Sequence, residues 1–417
     1  MPLAGRRREQ SRARLAAWAC FLATTLHLAF LRPNITLITG ERAKVFSGLL
    51  CALCLAVCLL DARRREAGSR TEVLVSLALA ALMAASGLAG LTPFSSSLRG
   101  FVVLASGLGG FWCARLLLTT PEARRFFVRF SLATLAGVLL VGLISHLVWG
   151  EVHRALDVNQ HPAAARILLL WFAPLAVLLG PDAPPLPRLG AWLLLGLSYL
   201  VLYLNILRST LVIPLLLGVQ AALFKAWRWR YLLLAALPLS LAILYFFLHL
   251  PPERTGKSAE PIYYRVENYR FSLYLALRHP VLGIGLRAPR EGFLDAYDIK
   301  YPHVTREQFT ESVRRIRTSE NIFLTFLAEV GIPFTLLYVF ALATLLTRLV
   351  RRARAPDPRA ALPPLALLLP LTAGLLHFQV LDGLLHPQVS WFFHVLLGLI
   401  GRDRHKGGRK GVLGSGF

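Results

Sequence analysis

The sequence predicts an all-α polytopic membrane protein with about twelve transmembrane helices and one long extramembrane loop. Apolar residues make up 56% of the 417 positions. They are gathered in runs of about 17–25 residues, the length of a helix that crosses a bilayer. Residues 251–319 are the longest interruption of this pattern. We therefore expect one transmembrane domain over residues 1–417, with the 251–319 loop between its ninth and tenth spans.

Each predicted span is an apolar run that a more polar or turn-forming segment separates from the next. The spans are predicted at 15–31, 43–60, 72–91, 98–119, 126–148, 162–179, 188–206, 209–226, 231–250, 320–348, 361–377 and 388–401. The first run lacks a small-residue cleavage site, so we expect it to remain as an uncleaved anchor.

The formal net charge of +24 comes mostly from arginines in the short connections on one side of the predicted bundle. These basic clusters lie at 6–14, 63–65, 124–125, 225–230, 348–354 and 402–410. Because cytoplasmic loops retain basic residues, the clusters place both termini in the cytoplasm and the 251–319 loop on the outer face, which is the periplasm of a Gram-negative cell. The same charge predicts contact with anionic membrane lipids, and the sequence has no aromatic-interleaved basic module that would favour nucleic acid.

The cysteines and the outer acidic residues do not predict a metal site. Cys20, Cys51, Cys54, Cys58 and Cys113 all fall within predicted spans, where a free thiol behaves as a small apolar group. Three of them share a helix face, but no histidine or second cysteine pair completes a ligand set in the sequence. Asp157 and Asp382 fit turn or capping positions, since no paired-carboxylate motif accompanies them. We expect neither a metal nor a cofactor.

The loop contains the stretch YYRVENYRFSLYLALRHPVLGIG at 263–285, which has helical spacing. Its apolar stripe consists of Val266, Tyr269, Leu273 and Leu277, and its polar stripe of Arg265, Asn268 and Ser272. Pro280 ends the predicted helix, and Gly283 and Gly285 form a turn. Such a helix is typical of one that lies at a membrane interface.

Two arginines of this helix differ in their local partners. Arg270 follows Glu267 by three residues, so its charge can be neutralised within the helix. Arg265 has no acidic residue at three or four positions on either side. It therefore needs a partner from elsewhere in the protein.

Two further arginines are predicted at the same outer face. Arg208 lies in the short turn after the seventh span, and Arg166 lies about one turn inside the sixth. Arg115 is placed near the cytoplasmic end of its span, where a long side chain can snorkel. Because the planar guanidinium binds phosphate oxygens in pairs, Arg166, Arg208 and Arg265 together predict a site for a lipid pyrophosphate.

These features resemble the O-antigen ligase family and the related polysaccharide polymerases of bacterial envelopes. The resemblance rests on the spacing of Arg265, Tyr269, Pro280, Gly283 and Gly285. It also rests on LRST at 207–210, SENIFLTFLAEVGIP at 319–333 and LDGLLHPQVSWFFHVLLGLI at 381–400. It extends over residues 155–400, and the spans before that range agree in number and hydropathy.

The resemblance implies a fold of the GT-C-like class and an inverting, metal-independent glycosyl transfer at the periplasmic face of the bacterial inner membrane. The donor would be a glycan on undecaprenyl pyrophosphate. The acceptor would be a sugar hydroxyl of the lipid A-core in a ligase, or of the growing glycan in a polymerase. Arg208 and Arg265 would bind the donor phosphates with Arg166, and Tyr269, Arg270 and Asn321 would support the site.

The general base departs from the family pattern, because Glu320 stands before Asn321 where the family usually has histidine. A carboxylate can remove the proton of an acceptor hydroxyl if it lies within hydrogen-bond reach. Glu320 is therefore the first candidate base, and capping or pairing at the helix start is its alternative role. His303 in the loop is the second candidate.

Three other functions are compatible with an outer-face arginine site. A repeat-unit polymerase would share the donor, and so would a peptidoglycan polymerase of the shape-elongation type with a different acceptor. A flippase for lipid-linked oligosaccharide would belong to another class, but transporters commonly have broken helices in two related halves. This chain has its single long loop in one half. It also lacks the phosphate-binding glycine loop, HExxH and GxSxG motifs of soluble enzymes.

Overall fold

The computed structural model describes residues 2–30, 41–62, 70–91, 93–156, 160–180, 184–205, 213, 217, 220, 260–316, 318–355, 362–379 and 383–400. Over these residues the regular structure is entirely helical, which confirms the predicted all-α class. The helices are α1 (Pro2–Phe30), α2 (Glu41–Ala62), α3 (Arg70–Ala89), α4 (Phe94–Leu117), α5 (Pro121–Trp149), α6 (Gln160–Leu170), α7 (Phe172–Leu179), α8 (Pro185–Leu204), α9 (Glu260–Arg278), α10 (Arg306–Ile316), α11 (Ile322–Glu329), α12 (Ile332–Arg354), α13 (Pro364–His377) and α14 (Pro387–Leu399). Short 3-10 turns lie at Val152–Ala155, Glu291–Ala296 and Gly383–Leu385.

The chain is a multi-pass membrane protein. Six described segments are long and apolar enough to cross a bilayer, namely α3, α4, α5, α6 with α7, α8 and α12. Shorter apolar helices lie at Arg14–Phe30, Phe46–Leu59 and Pro364–His377. The predicted spans at 209–226 and 231–250 fall almost wholly outside the described residues. The expected total of about twelve spans therefore stays a prediction.

The predicted tenth span at 320–348 is two helices in the structure, α11 and α12. Gly331 separates them with a φ of 96°, a left-handed value that suits glycine. Pro333 follows in the first turn of α12, where its missing N–H leaves no helical hydrogen bond unmade. Hydropathy continues across the break, so the prediction merged the two helices.

The centre of the bundle is α14, whose thirteen residues are all buried. Apart from Gln388, Ser390 and His394 this helix is apolar, and such a helix belongs in a buried position. It packs most extensively against α4, where glycines let the backbones approach closely. A Cβ on Gly110 would crowd the Trp391 carbonyl, and one on Gly398 would collide with the Phe111 backbone.

The bundle has two chemically different ends. At one, the basic end, α3 and α4 meet through an ion pair of 2.7 Å between Glu72 and Arg115. Arg348 near the end of α12 joins the same carboxylate at 3.5 Å. At the other, the loop end, the backbone N–H of Leu91 after α3 donates to the Ile284 carbonyl at 3.0 Å. Glu72 and Leu91 lie at opposite ends of α3. The segment 260–316 therefore covers the end of the bundle opposite to Arg115 and Arg348.

The described part of the predicted loop has its own small core between α9, α10 and the 3-10 turn at Glu291–Ala296. Phe271, Leu275, Leu294 and Phe309 are buried in it. The outward stripe of α9 includes Leu273 and Leu277, which are exposed. This apolar stripe was predicted, and it suits a helix at the lipid interface.

The predicted polar stripe of α9 faces the protein and is largely buried. Asn268 and Ser272 are no more than 2% exposed, and so is Glu267 beside them. Glu267 accepts a hydrogen bond of 2.6 Å from the Tyr297 hydroxyl. Burial and this carboxylate raise the pKa of Tyr297, so the hydroxyl stays a donor.

The GxG turn fixes the loop to the break between α11 and α12. The N–H groups of Ile284 and Gly285 donate to the carbonyls of Ala328 and Glu329 at 2.8 and 3.0 Å. Gly283 has a φ of 63°, and a Cβ there would collide with the Glu329 backbone. These bonds satisfy carbonyls that the interrupted helix would leave unpaired.

A buried ion pair reinforces this junction. Arg290 Nη2 lies 3.4 Å from Glu329 Oε1, and both side chains are 1% exposed. The other carboxylate oxygen of Glu329 accepts the Arg287 N–H at 3.0 Å, and Arg290 Nη1 donates to the Ser272 hydroxyl at 3.2 Å. The ion pair and its hydrogen bonds therefore connect α9, the segment that follows α9, and α11.

Arg290→Met should destabilise the protein by about 3–5 kcal/mol, because it leaves a buried carboxylate without its guanidinium. Thermal unfolding in detergent measures the effect. The double variant Arg290→Met with Glu329→Leu should recover part of the loss, since it removes both charges. Equal melting temperatures of the single variant and the wild type would show that the pair does not hold the junction.

Candidate active site at the loop end

Arg265 finds its partner in Glu320, fifty-five positions further along the chain. Arg265 Nε donates to Glu320 Oε2 at 2.8 Å. The side chains are 38% and 28% exposed, so solvent and ligands can reach the pair. The Nη atoms of the same guanidinium carry further N–H donors. The pair therefore places a carboxylate and a cation side by side on an accessible surface.

Glu320 occupies an unusual backbone conformation. Its φ is 56°, in the left-handed region that residues other than glycine rarely adopt. Such conformations cost on the order of 1–3 kcal/mol and are concentrated at functional sites. Glu320 adopts this conformation just before the N-cap of α11.

Asn321 fixes the segment that carries Glu320. Its Oδ1 accepts from the N–H groups of Phe323 and Leu324 at 3.1 and 3.2 Å, so it caps α11. Its Nδ2 donates to Gln379 Oε1 at 3.0 Å. The Tyr269 hydroxyl donates to the Gln379 carbonyl at 2.9 Å. Gln379 therefore links α9, the start of α11 and the end of α13.

Two histidines pack together where α6 begins and α13 ends. The His161 and His377 rings lie 5.5 Å apart, and His377 Nε2 donates to the His161 carbonyl at 3.2 Å. His161 was not predicted from the sequence, although a histidine at the end of a span is a signal for a functional position.

Arg166 lies away from the accessible surface. Its side chain is fully buried, and its guanidinium donates to the carbonyls of Leu28, Ala29 and Leu156 at 3.1, 2.7 and 2.8 Å. Two of these carbonyls belong to the last turn of α1, where a cation is favourable. The observed contacts of Arg166 connect α6 to α1, and its predicted role in binding the donor stays untested.

Arg166→Lys should lower the melting temperature, because a lysine cannot serve three carbonyls in the same planar arrangement. A hydrogen bond from a charged donor contributes about 1.5–3 kcal/mol, so a loss of this order is expected. Arg265→Lys is the matched control and should melt like the wild type, since its pair is partly exposed. If both lysine variants melt alike, the buried contacts of Arg166 do not stabilise the fold.

Of the remaining predicted residues, Arg270 and His303 lie in the loop. Arg270 pairs with Glu267 at 3.4 Å, as their spacing predicts, and stacks over Tyr301 at 4.7 Å. His303 is exposed, and its ring lies 5.1 Å from that of Tyr263. Arg208, Asp157 and Asp382 lie outside the described residues. The structure thus pairs Arg265 with Glu320 and connects Tyr269 with Asn321, the residue next to Glu320, through Gln379.

A cluster of thiols lies within the bundle, apart from this site. The Sγ atoms of Cys54, Cys58 and Cys113 all lie within 4.8 Å of one another. Cys54 and Cys113 come from different helices and approach to 3.5 Å. The sequence did not reveal this grouping, because it depends on the packing of α2 against α4. The expectation that the chain binds no metal stays a prediction.

Residues 191–339 match the family model described as O-antigen ligase. No curated protein matches the chain. The match includes Arg265, Tyr269, Glu320 and Asn321, and it confirms the resemblance over a narrower range than the expected 155–400. It supports a membrane glycosyltransferase of the O-antigen ligase or polymerase type.

Proposed function

We propose that this chain, with its O-antigen ligase match over residues 191–339, is an inverting, metal-independent glycosyltransferase of the bacterial inner membrane. It would transfer a glycan from undecaprenyl pyrophosphate to a sugar hydroxyl of the lipid A-core. The observation that carries the proposal is the accessible Arg265–Glu320 pair at the loop end. This pair offers the two groups that such a transfer needs, a cation for the leaving pyrophosphate and a base for the acceptor.

The distribution of charge supports the proposed orientation in the membrane. Arg348 and the exposed Arg351 and Arg354 lie at the basic end. By the positive-inside rule this end faces the cytoplasm, with both termini. The loop end then faces the periplasm, and the exposed apolar stripe of α9 lies at the depth of the lipid head groups. A polyprenyl donor could place its pyrophosphate there without leaving the bilayer.

Arg265 would bind the donor pyrophosphate. Its Nη donors remain beside the ion pair, and a guanidinium stays charged at every working pH. Neutralising the developing charge makes pyrophosphate a better leaving group. Arginine can therefore fulfil here the role that a divalent cation has in other phosphate-dependent enzymes. Arg208 and Arg166 remain proposed donor ligands, and Arg270 and Tyr269 would support the helix that carries Arg265.

Glu320 would act as the general base. In the structure its Oε2 accepts from Arg265. When the donor pyrophosphate accepts hydrogen bonds from Arg265, the interaction between Arg265 and Glu320 weakens. The carboxylate can then accept the proton of the acceptor hydroxyl. The deprotonated oxygen forms the new bond to the anomeric carbon as the bond to the pyrophosphate breaks on the opposite side. His303 is the alternative base, and Asn321 would keep Glu320 in position.

The experiment is transfer by purified protein with a chelator present. The full-length chain in liposomes would receive an undecaprenyl-pyrophosphate glycan together with lipid A-core. The proposal predicts a glycan-bearing lipid A-core and released undecaprenyl pyrophosphate. Elongation of the donor glycan without lipid A-core would identify a polymerase instead. Movement of the donor across the bilayer with no new glycosidic bond would contradict both and indicate a transporter.

A further inference from the structure

A cavity of about 120 Å³ lies between α3 and α12, far from the Arg265–Glu320 pair. We name it the α3–α12 cavity. Its apolar walls include Val75, Leu79, Leu108, Phe111, Leu342 and Leu345. Engineered apolar protein cavities of about 150 Å³ stay dry and bind benzene. The α3–α12 cavity is therefore suited to a few carbons of a hydrocarbon chain.

The cavity opens on a surface that would contact lipid. Phe340 lines it and is 68% exposed, and Leu74 and Leu77 on the neighbouring face of α3 are more than 60% exposed. Both α3 and α12 are long and apolar enough to span the membrane. A lipid chain could thus enter sideways from the bilayer.

The end of the cavity at the basic end is charged. Glu72 accepts from Arg115 at 2.7 Å and faces Arg348 at 3.5 Å, so one carboxylate serves two guanidiniums. The Arg115 side chain is 8% exposed and that of Arg348 is 38% exposed. The surplus positive charge is therefore accessible at Arg348. Since a guanidinium binds phosphate oxygens well, an anionic head group fits this position.

The residues of α12 that line the cavity extend over the depth of about one leaflet. Tyr338 and His394 lie at its far end, and Tyr338 precedes Arg348 by ten residues of α12. At 1.5 Å per residue this separation is about 15 Å. It equals half of the hydrocarbon thickness, which is about 30 Å. A phospholipid chain reaches about this far from its head group, so a few of its carbons would fill the cavity and the others would lie along the exposed faces of α3 and α12.

We infer that the α3–α12 cavity binds one anionic phospholipid, with an acyl chain between the two helices and the phosphate on Arg348. This lipid would join the early helix α3 to the late helix α12 at the basic end. The inference is independent of the reaction at the loop end. It concerns a bilayer lipid as a bound component of the protein rather than as a substrate.

The test compares phosphatidylglycerol with phosphatidylcholine, each added to the purified full-length protein in detergent. Native mass spectrometry counts bound lipids, and thermal unfolding measures the shift that each lipid causes. We expect one phosphatidylglycerol per chain to be retained in preference to phosphatidylcholine. Basic residues near a membrane surface contribute about 1 kcal/mol each, so Arg348→Gln should reduce the preference about fivefold.

Two further variants complete the test. Arg354→Gln removes the same charge from an exposed position on α12 that does not line the cavity, and it should retain the preference. Ala341→Phe fills the cavity and should reduce retention of both lipids. Equal retention of the two lipids by the wild type, or an unchanged preference in Arg348→Gln, would overturn the inference. Displacement of the phospholipid by undecaprenyl phosphate would show that the cavity serves the polyprenyl lipid instead.

Discussion

Arg265→Ala should reduce glycan transfer by on the order of 10²–10³-fold, the loss seen when one preorganised donor to a developing anion is removed. The effect should appear in kcat/KM, because Arg265 would contact the pyrophosphate in both the bound donor and the transition state. Its Nη donors lie beside the ion pair with Glu320, on an accessible surface. Initial rates of transfer with purified protein measure the loss.

Arg278→Ala is the matched control for this variant. It removes an exposed arginine from the same helix, where Arg278 stacks on Tyr274 at 5.4 Å. Transfer should stay near the wild-type rate. The Arg265–Glu320 pair is partly exposed and contributes at most about 1 kcal/mol to stability, so both variants should melt like the wild type. A folded Arg265→Ala protein with full activity would contradict the assignment.

Glu320→Gln should reduce transfer by about 10²–10⁴-fold, the range that a general base contributes. The amide keeps nearly the same shape but cannot accept a proton at working pH. Donor binding should survive, since Arg265 remains. The expected pattern is therefore a loss in kcat with little change in the KM for the donor. Steady-state kinetics over a range of donor concentrations separate the two.

Glu320→His tests whether another base at this position can restore glycan transfer. Histidine is the residue that the family usually carries before this asparagine, it can accept a proton, and it tolerates the left-handed φ of 56° better than most residues. We expect this variant to regain part of the activity that Glu320→Gln loses. If Glu320→Gln retains activity while His303→Ala loses it, the base is His303. If Glu320→Gln and His303→Ala both retain activity, neither residue is the base, and Glu320 only pairs with Arg265 before α11.

Local patterns in the sequence predicted the helices well. The apolar runs at 72–91, 98–119, 126–148, 162–179 and 188–206 located the helices α3 to α8, and the 3.6-residue period located α9 with its outward stripe of Leu273 and Leu277. Hydropathy did not locate the break at Gly331, because it averages over a window and α11 and α12 are both apolar. The structure shows the break, and the N–H groups of the GxG turn donate to the backbone carbonyls at the end of α11 beside it.

The candidate site was predicted in part. The absence of a local acid separated Arg265 from Arg270 and indicated a distant partner, but not which one. Glu320 became that partner through the packing of α9 against α11, a contact that neither segment specifies alone. Gln379 was missed for the same reason, since it reaches the site from the end of another helix.

Buried polar residues were the least predictable. The polar stripe of α9 reads as a solvated face, yet Asn268 and Ser272 are buried against the loop core. Arg290 and Glu329 carry no motif, and their pairing depends on three segments meeting at one point. Periodicity shows which residues share a helix face, and only the tertiary structure shows whether water or protein lies opposite that face.

On the proposed function, the donor pyrophosphate binds at the loop end, beside Arg265 and Glu320. A polyprenyl pyrophosphate with a photoreactive group next to its phosphates tests this directly, when cross-linked to the purified wild-type protein and mapped by peptide mass spectrometry. The account predicts labels on α9 near residue 265 and on the segment at 319–321, competed by unlabelled donor and weakened in Arg265→Ala. Labels at the basic end around Arg348, or labelling at the loop end that Arg265→Ala leaves unchanged, would contradict it.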